Sequence, residues 1–471
     1  MYILVLESST TSAKAMLYDT EKGTYEVRTK AYTLCYDDIT LHDAENVFKE
    51  TVDLGKELCI GKKIDIISLG GTWHSLVLCN TDMEPQTPVY LWSYTGAADL
   101  CKELRKDKRY MKEFYQKTGC MVNGIYPAFK LKLLKEKGYC LDNYLIAGQG
   151  TYNMFRLTGE RVIMDSMASG TGLLNIHTKQ FDADILADLG IKESQISRLV
   201  TYKDTFPLSK EGAQMLGIEE GIPVIPTGPD GGLNQVGAGA LGDDVMTFSV
   251  GTSGAIRLTT QKPIIPEEPS TWCYLSPKAW LSGAATSGCC NCIDWFKNKM
   301  FSPNTTYDDI EKGFGNIENT PVFLPFLFGE RCPGWQDDRN AAFFDIKPFH
   351  TANDLYHAVM EGVLFNLYQC YEVLSNINGI PKKIKLSGGI LHSSYWTQMC
   401  ADIFGTDMEV DNVEHSSLLG GVALGMELLG EIQDVKDFIT ESTKVIHSNL
   451  EMADIYAKKY VRYKYWYDKT I

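Results

Sequence analysis

One pattern constrains this chain more than any other: two apolar runs separated by a knot of hydroxyls occur twice, about half the chain apart. Near the start, Tyr2 to Leu6 and Ala13 to Tyr18 read as short strands flanking Ser8, Ser9, Thr10, Thr11 and Ser12. Later, Met246 to Val250 runs into Gly251-Thr252-Ser253-Gly254, and Ala255 to Leu258 follows. Each turn is followed within a few residues by a basic side chain, Lys14 or Arg257. At 471 residues the chain is too long for one core. The repeat therefore predicts two related lobes, each opening strand, turn, strand. Taken one at a time, such turns are also ordinary hairpin connections.

The stretches between the turns alternate in period. Helical patterns are predicted at Ala44 to Leu58, Gly96 to Lys106, Ala128 to Lys137, Tyr144 to Leu157 and Ser209 to Leu216. Strands are predicted at Ile64 to Leu69, Ser75 to Cys79, Val224 to Thr227 and Ile384 to Ser387. A helix with Trp396, Met399, Ala401 and Ile403 follows the last of these, and a small-residue helix runs from Ser417 to Leu429. Strands alternating with helices indicate an α/β fold. No low-complexity stretch separates the halves, so the lobes are expected to share a substantial interface, with domains at 1–244 and 245–471.

Net charge, -15 at pH 7, argues against a nucleic-acid partner, which requires basic patches. No apolar run is long enough for a membrane span. Met1 to Leu6 turns polar at Glu7, too soon for a signal peptide. The 13 cysteines are odd in number and scattered, which points to free thiols in a reducing cytoplasm. Cys289, Cys290 and Cys292 cluster, but no second pair stands at zinc-ligand spacing, so packed or reactive thiols are expected there.

Backbone N–H groups and hydroxyls in a tight turn suit an anion that must be approached closely, such as a phosphate. Two such turns would face each other across a cleft. Glu7, at the end of the first strand, would orient a Mg2+ ion through water. Neither a Walker-type loop nor a dinucleotide fingerprint is present. In Ile222 to Leu241, a strand ends, Gly228-Pro229 turns the chain, and Asp230 stands before the small-residue helix of Gly231-Gly232. A carboxylate there could accept the proton of a hydroxyl attacking a γ-phosphoryl group, or could simply cap the helix.

The ordered series E-S-S-T-T-S-A-K, T-W-H-S-L, Y-P-A-F-K-L, D-S-M-A-S-G-T-G-L-L, G-P-D-G-G-L-N-Q-V-G-A-G-A, V-G-T-S-G-A, G-E-R-C-P-G-W, H-A-V-M-E-G-V-L-F, L-S-G-G-I and W-T-Q-M-C-A-D-I resembles the FGGY carbohydrate kinases, from residue 3 to about 430. The gluconate and xylulose kinases look most similar. The resemblance implies two ribonuclease-H-like (actin-like ATPase) lobes, sugar on the first and ATP in the interlobe cleft. It implies Asp230 as catalytic base. Thr10, Thr11 and Ser12 would contact phosphate from one side, and Gly251, Thr252 and Ser253 from the other. Gly388 and Gly389 would lie against adenosine with Gln398 and Asp402 near, and Trp73, His74 and Tyr94 fall on the sugar side. A homodimer is the assembly the resemblance suggests.

This chain departs from the family pattern at several positions. Glu7 and Ser9 stand where the family has Asp and Gly. Tyr94 and Gly96, in L-W-S-Y-T-G-A-A, stand where it has a sugar-binding Asp and Arg. Ala341 and Asp345 replace glycines, a difference read as structural. Losing a carboxylate and a bidentate cation changes the polar grip on a sugar. The expected activity is ATP- and Mg2+-dependent phosphorylation of a sugar or sugar acid, with gluconate favoured by T-P-V-Y-L-W and T-W-H-S-L. The alternatives are a xylulose or other ketose or polyol kinase, and a low-turnover sugar- or nucleotide-binding regulator of the same fold. An actin- or Hsp70-like ATPase fits the fold but not G-P-D-G-G or the sugar-side motifs.

Overall fold

A computed structural model of the chain describes residues 1–242, 245–410, 415–438 and 444–470. The expected division between 244 and 245 falls at residues 243–244, outside the described residues. The first sheet contains β1 (Tyr2–Ser8), β2 (Ser12–Asp19), β3 (Thr24–Ala31), β4 (Ile66–Gly71), β5 (Phe206–Pro207) and β6 (Pro223–Pro229) in the order β5-β6-β4-β1-β2-β3. β1, β4 and β6 are parallel, and β2 and β3 continue antiparallel from β1. β1 and β4 are buried almost throughout, which is why they read as continuous apolar runs rather than alternating ones.

The second sheet repeats the plan. It contains β7 (Val245–Val250), β8 (Gly254–Thr260), β9 (Trp272–Ser276), β10 (Ala279–Thr286), β11 (Lys383–Ser387), β12 (Met408–Val410) and β13 (Lys444–Ile446), ordered β9-β10-β8-β7-β11-β12-β13. Again the first strand pairs antiparallel with the second, and β7, β11 and β12 are parallel. Each hydroxyl-rich turn is the connection between the first two strands of its sheet, as the repeat in the sequence predicts.

The helices that position the site are α1 (Ala44–Cys59), α2 (Gln149–Thr158), α3 (Asp230–Gly237), α4 (Cys290–Met300), α5 (Ala352–Asn378), α6 (Ser394–Phe404), α7 (Ser416–Leu428) and α8 (Leu450–Lys469). α1 is amphipathic, and Asp43 caps it by accepting from the Asn46 N–H at 2.8 Å. The predicted helix from Tyr144 is corrected. Leu145–Ala147 is a strand paired with Val77–Cys79, and the helix begins only after Gly148. The sheet contact overrides the local helical pattern. The predicted helix from Gly96 is likewise shorter, spanning Ala98–Leu104.

α7 crosses to the sheet of the first lobe, and α3 lies between the two sheets, with Leu233 against Gly70 and Gly228 of the first. The α3 side chain Gln235 accepts from Thr247 Oγ1 on β7 at 2.6 Å, and Lys385 on β11 donates to Ala238 O just past α3 at 2.5 Å. α7 lies on the other sheet: a methyl added at Gly421 would meet Val5 and Ser68, and one at Gly425 would meet Ile3 and Ile66. The two helices cross in backbone contact. A methyl at Gly237 would come within 1.8 Å of Ser416 O, and one at Gly420 within 2.0 Å of Leu233 O. Among the described residues no helix is long and apolar enough to cross a membrane.

Candidate active site between the lobes

Three cavities line up along the cleft. The first, about 240 Å³, is walled by Thr10, Trp73, His74, Trp92, Asp230, Ser253, Ala255, Arg257, Trp272, Tyr274 and Arg331. The second, about 540 Å³, shares Trp92, Ser253 and Arg331 with it and adds Tyr94, Thr252 and Asp337. The third, about 400 Å³, shares Thr252 with the second and is lined by Gly251, Cys290, Tyr356, Gly389 and Trp396. The turn after β7 thus touches all three spaces.

Asp230 stands where β6 ends and α3 begins. Its Oδ1 accepts from the Gly231 N–H at 2.7 Å. Burial first, and then the nearby Glu7 charge, raise its carboxyl to about 6. A methyl at Gly231 would lie 2.6 Å from the Trp73 ring, so glycine leaves the cavity wall open behind the carboxylate.

The aromatic wall is assembled from both lobes. Trp73 packs against Tyr274 with centroids 5.0 Å apart, and Tyr274 stacks on Trp272 at 4.4 Å. The Trp73 indole N–H donates to Ser166 O at 2.9 Å, which fixes the ring and leaves a carbon face for the cavity. His74 is buried, has φ 68°, and its Nδ1 lies 2.5 Å from Gly170 O. Burial lowers its imidazole to about 3. With Nδ1–H donating to that carbonyl, Nε2 is an acceptor. Lys130, itself buried, donates to the carbonyls of His74, Leu91 and Ile125 at 2.7, 2.7 and 2.9 Å. It ties together the three loops carrying this wall, and burial holds its amine well below the usual lysine range.

In the first turn, Thr10 lines the cavity of Asp230 and accepts from the Trp92 indole at 3.0 Å. Thr11 is exposed and Ser12 opens β2, and neither lines one of these cavities. Glu7 lies beneath this turn, directly across the β1–β2 ladder from Lys14. Its Oε1 accepts from Lys14 Nζ at 2.9 Å and from Ser9 Oγ at 3.0 Å, while its Oε2 is buried without a hydrogen-bond partner.

Gly251 and Gly389 border the third cavity, and Gly388 lets β7 and β11 end side by side. At φ 99° a methyl on Gly388 would lie 2.6 Å from Val250 O, so only glycine fits. Gln398 and Asp402 do not line this cavity. Asp402 accepts from Gln398 Nε2 at 2.9 Å and from the Asn449 N–H at 2.8 Å, so the pair secures the chain entering α8. Tyr94 lines the middle cavity rather than that of Asp230, and packs edge-on against Tyr90. Cys290 borders the third cavity, whereas Cys289 and Cys292 are buried thiols.

Sequence reasoning left out Arg257 and gave Arg331 no role, and both line the cavity of Asp230. The signal for Arg257 was the alternation of β8, in which Ala255 and Arg257 share the half-buried face below the turn. The donor-rich turns, the carboxylate beside them and the aromatic wall suit transfer of a phosphoryl group to a hydroxyl compound with apolar C–H faces.

Residues 2–237 match the N-terminal domain, and residues 246–428 the C-terminal domain, of the FGGY family of carbohydrate kinases. A gluconokinase of Bacillus subtilis (strain 168) is 28% identical over 92% of this chain and 88% of its own length. The crystal structure of gluconate kinase from Lactobacillus acidophilus superposes with a TM-score of 0.95 at 28% identity, covering 99% of this chain and 98% of that one. A ligand-bound xylulose kinase from Lactobacillus acidophilus gives the same TM-score, identity and coverage. With both family domains matched in order and the two-lobed fold shared from end to end, the chain belongs to the FGGY family of carbohydrate kinases, which use ATP as phosphate donor.

Proposed function

We propose that this carbohydrate kinase phosphorylates a terminal hydroxyl of a sugar acid, gluconate before others, by direct in-line transfer from ATP. The observation that carries the reading is the placement of Asp230. It is a half-buried carboxyl with a pKa raised to about 6, in an aromatic-walled cavity that opens onto both hydroxyl-rich turns. Asp230 takes the hydroxyl proton as that oxygen bonds to the γ-phosphorus. The bond from phosphorus to the β–γ bridging oxygen breaks, and ADP leaves with the electron pair. A base near pH 6 is ionised at neutral pH yet close enough in pKa to accept the proton late in a loose transfer. Thr10 on one side and Gly251, Thr252 and Ser253 on the other donate to the phosphates, Gly388 and Gly389 border adenosine, and Trp73 and His74 hold the sugar.

Mg2+ would neutralise phosphate charge. Among the described residues no three His, Cys, Asp or Glu side chains form a cage for it. The buried, unpartnered Oε2 of Glu7 fits a water-mediated contact to a cation held chiefly by the nucleotide. Gluconate is supported by the similarity to enzymes named for it. A ketose reading has its own support in the equally similar structure named a xylulose kinase.

The test is coupled ADP release with ATP and Mg2+ across sugar acids, ketoses and polyols, beside Asp230→Asn. Turnover of gluconate above all others, reduced by about 10³-fold or more in the variant, is expected. Preference for a ketose replaces the substrate. No turnover with ATP still bound favours the regulator.

A further inference from the structure

The cavity of Asp230 contains two guanidinium groups whose charge the protein itself does not balance. Arg257 projects from β8 and Arg331 from the loop after Val322–Leu324, so both belong to the second lobe. Neither forms an ion pair or donates a hydrogen bond among the described residues, and the Nε of each is buried without a partner. The Nε of Arg339 is likewise without a partner, but three buried cations have their charge met by other groups. Arg339 pairs with Glu330 at 2.8 Å, Lys459 pairs with Glu361, and Lys130 meets three carbonyls. Arg257 and Arg331 are half-buried, and a guanidinium whose Nε is shut off from water without a partner is costly, so it is kept where a ligand completes it.

The only carboxylate lining the cavity is Asp230, and nearby Glu7 is engaged by Lys14. Two guanidiniums against one carboxylate leave a net positive space, walled otherwise by Trp73, Trp92, Trp272 and Tyr274. The two cations differ in position. Arg331 also lines the middle cavity beside Thr252 and Ser253, on the phosphate side. Arg257 does not. It lies deeper on the strand that starts at the turn, two residues beyond Ala255 on the same face. Its Nε would lie 3.4 Å from a methyl at Gly231, next to the base but away from the turn.

We propose that Arg257 is the specificity-determining residue of the sugar cavity, binding the carboxylate of an aldonic acid whose reacting hydroxyl meets Asp230. This rests on the kinase reading above and adds the group that would select an acid over a neutral sugar. A neutral polyol could accept hydrogen bonds from Arg257 but would leave its charge unbalanced. A carboxylate takes two parallel N–H bonds from the guanidinium and neutralises it. Because Asp230 comes from the first lobe and Arg257 from the second, such a ligand spans the cleft.

The test compares gluconate with glucitol, which carries CH2OH in place of the carboxylate. Calorimetry without ATP uses wild type, Arg257→Gln and Arg257→Lys, and steady-state kinetics follow. ATP binding, in a cavity that Arg257 does not line, checks that each variant is folded. Gluconate is expected to bind wild type at least about 10-fold more tightly than glucitol, and about 100-fold more weakly after Arg257→Gln. The effect should fall on KM more than on kcat, with partial rescue by lysine. Equal binding of gluconate and glucitol by wild type, a comparison that needs no variant, overturns the proposal and leaves the kinase reading intact. So does an equal loss of kcat for acid and neutral substrates in Arg257→Gln with gluconate binding unchanged, which would assign Arg257 to phosphoryl transfer. Gluconate binding that depends on Arg257, without turnover of any substrate, upholds the proposal and overturns the kinase reading.

Discussion

The chemistry at the residue scale turns on Asp230, and its environment predicts two pH effects. Since the base acts ionised and its carboxyl is raised to about 6, kcat/KM should fall about tenfold per pH unit below about 6. An acid limb near the ordinary carboxylate value of about 4 would remove Asp230 as the base. The raised carboxyl also affects stability. Between about 4 and 6 the folded state binds more protons than the unfolded chain, so this group's contribution becomes less favourable as pH rises through that window. Above it the penalty is fully present. Asp230→Asn should therefore raise the melting temperature at pH 7.5 while abolishing turnover, and the gain should vanish near pH 4. Asp230 was legible because G-P-D-G-G puts a carboxylate at a strand end. The bond of Asp402 to Asn449 was not legible, because Asn449 lies 47 residues further on, at a contact no local pattern encodes.

Among the elements, the crossing of α3 and α7 matters most, because α3 carries Asp230, the proposed base, at its first residue. The small residues of Ser417 to Leu429 signalled a closely packed helix. Nothing in them told that α7 lies on the sheet of the other half, since that choice is made by Val5, Ser68, Ile3 and Ile66 far earlier in the chain. The glycines at the crossing give a sharp prediction. In Gly420→Ala the added methyl meets the Leu233 carbonyl at 2.0 Å, and backbone on both sides cannot yield as a side-chain tip would. Overpacking of this kind costs about 1–3 kcal/mol. The variant should melt several degrees lower and lose kcat as α3 shifts. Gly138→Ala, at a left-handed glycine with open space around it, should show only its small local strain and leave kcat alone. Equal activity in Gly420→Ala and wild type would mean that the crossing is looser than the contact distances indicate.

For the whole molecule, the question is what keeps the cleft closed over a reactive γ-phosphoryl group, since water admitted there wastes ATP. The aromatic wall already joins the lobes through the buried Tyr126–Tyr274 hydroxyl pair at 2.8 Å and the Cys273 N–H to Gly119 O bond at 3.0 Å. A second set of contacts between the lobes is made by charge. Lys102 meets Asp338 at 2.6 Å, but both side chains are more than half exposed, so that pair contributes little. Asp337 is different. It accepts from Arg105 at 3.0 Å and from Asn123 at 3.1 Å, Arg105 is only 14% exposed, and Asp337 itself lines the middle cavity. One carboxylate from the second lobe therefore holds two donors of the first at the edge of the middle cavity. Asp337→Ala should loosen that edge without touching Asp230. The expected result is a KM for the sugar raised about 3- to 10-fold, and ADP released in excess of sugar phosphate formed, whereas wild type keeps the two equal. Raising the ionic strength should move wild type part of the way toward the variant, since a half-exposed pair is screened. Lys102→Ala, which removes only the exposed pair, should keep the stoichiometry at one. If Asp337→Ala keeps it at one as well, closure depends on the aromatic side alone, and the rim pair is an ornament of the surface rather than a clasp.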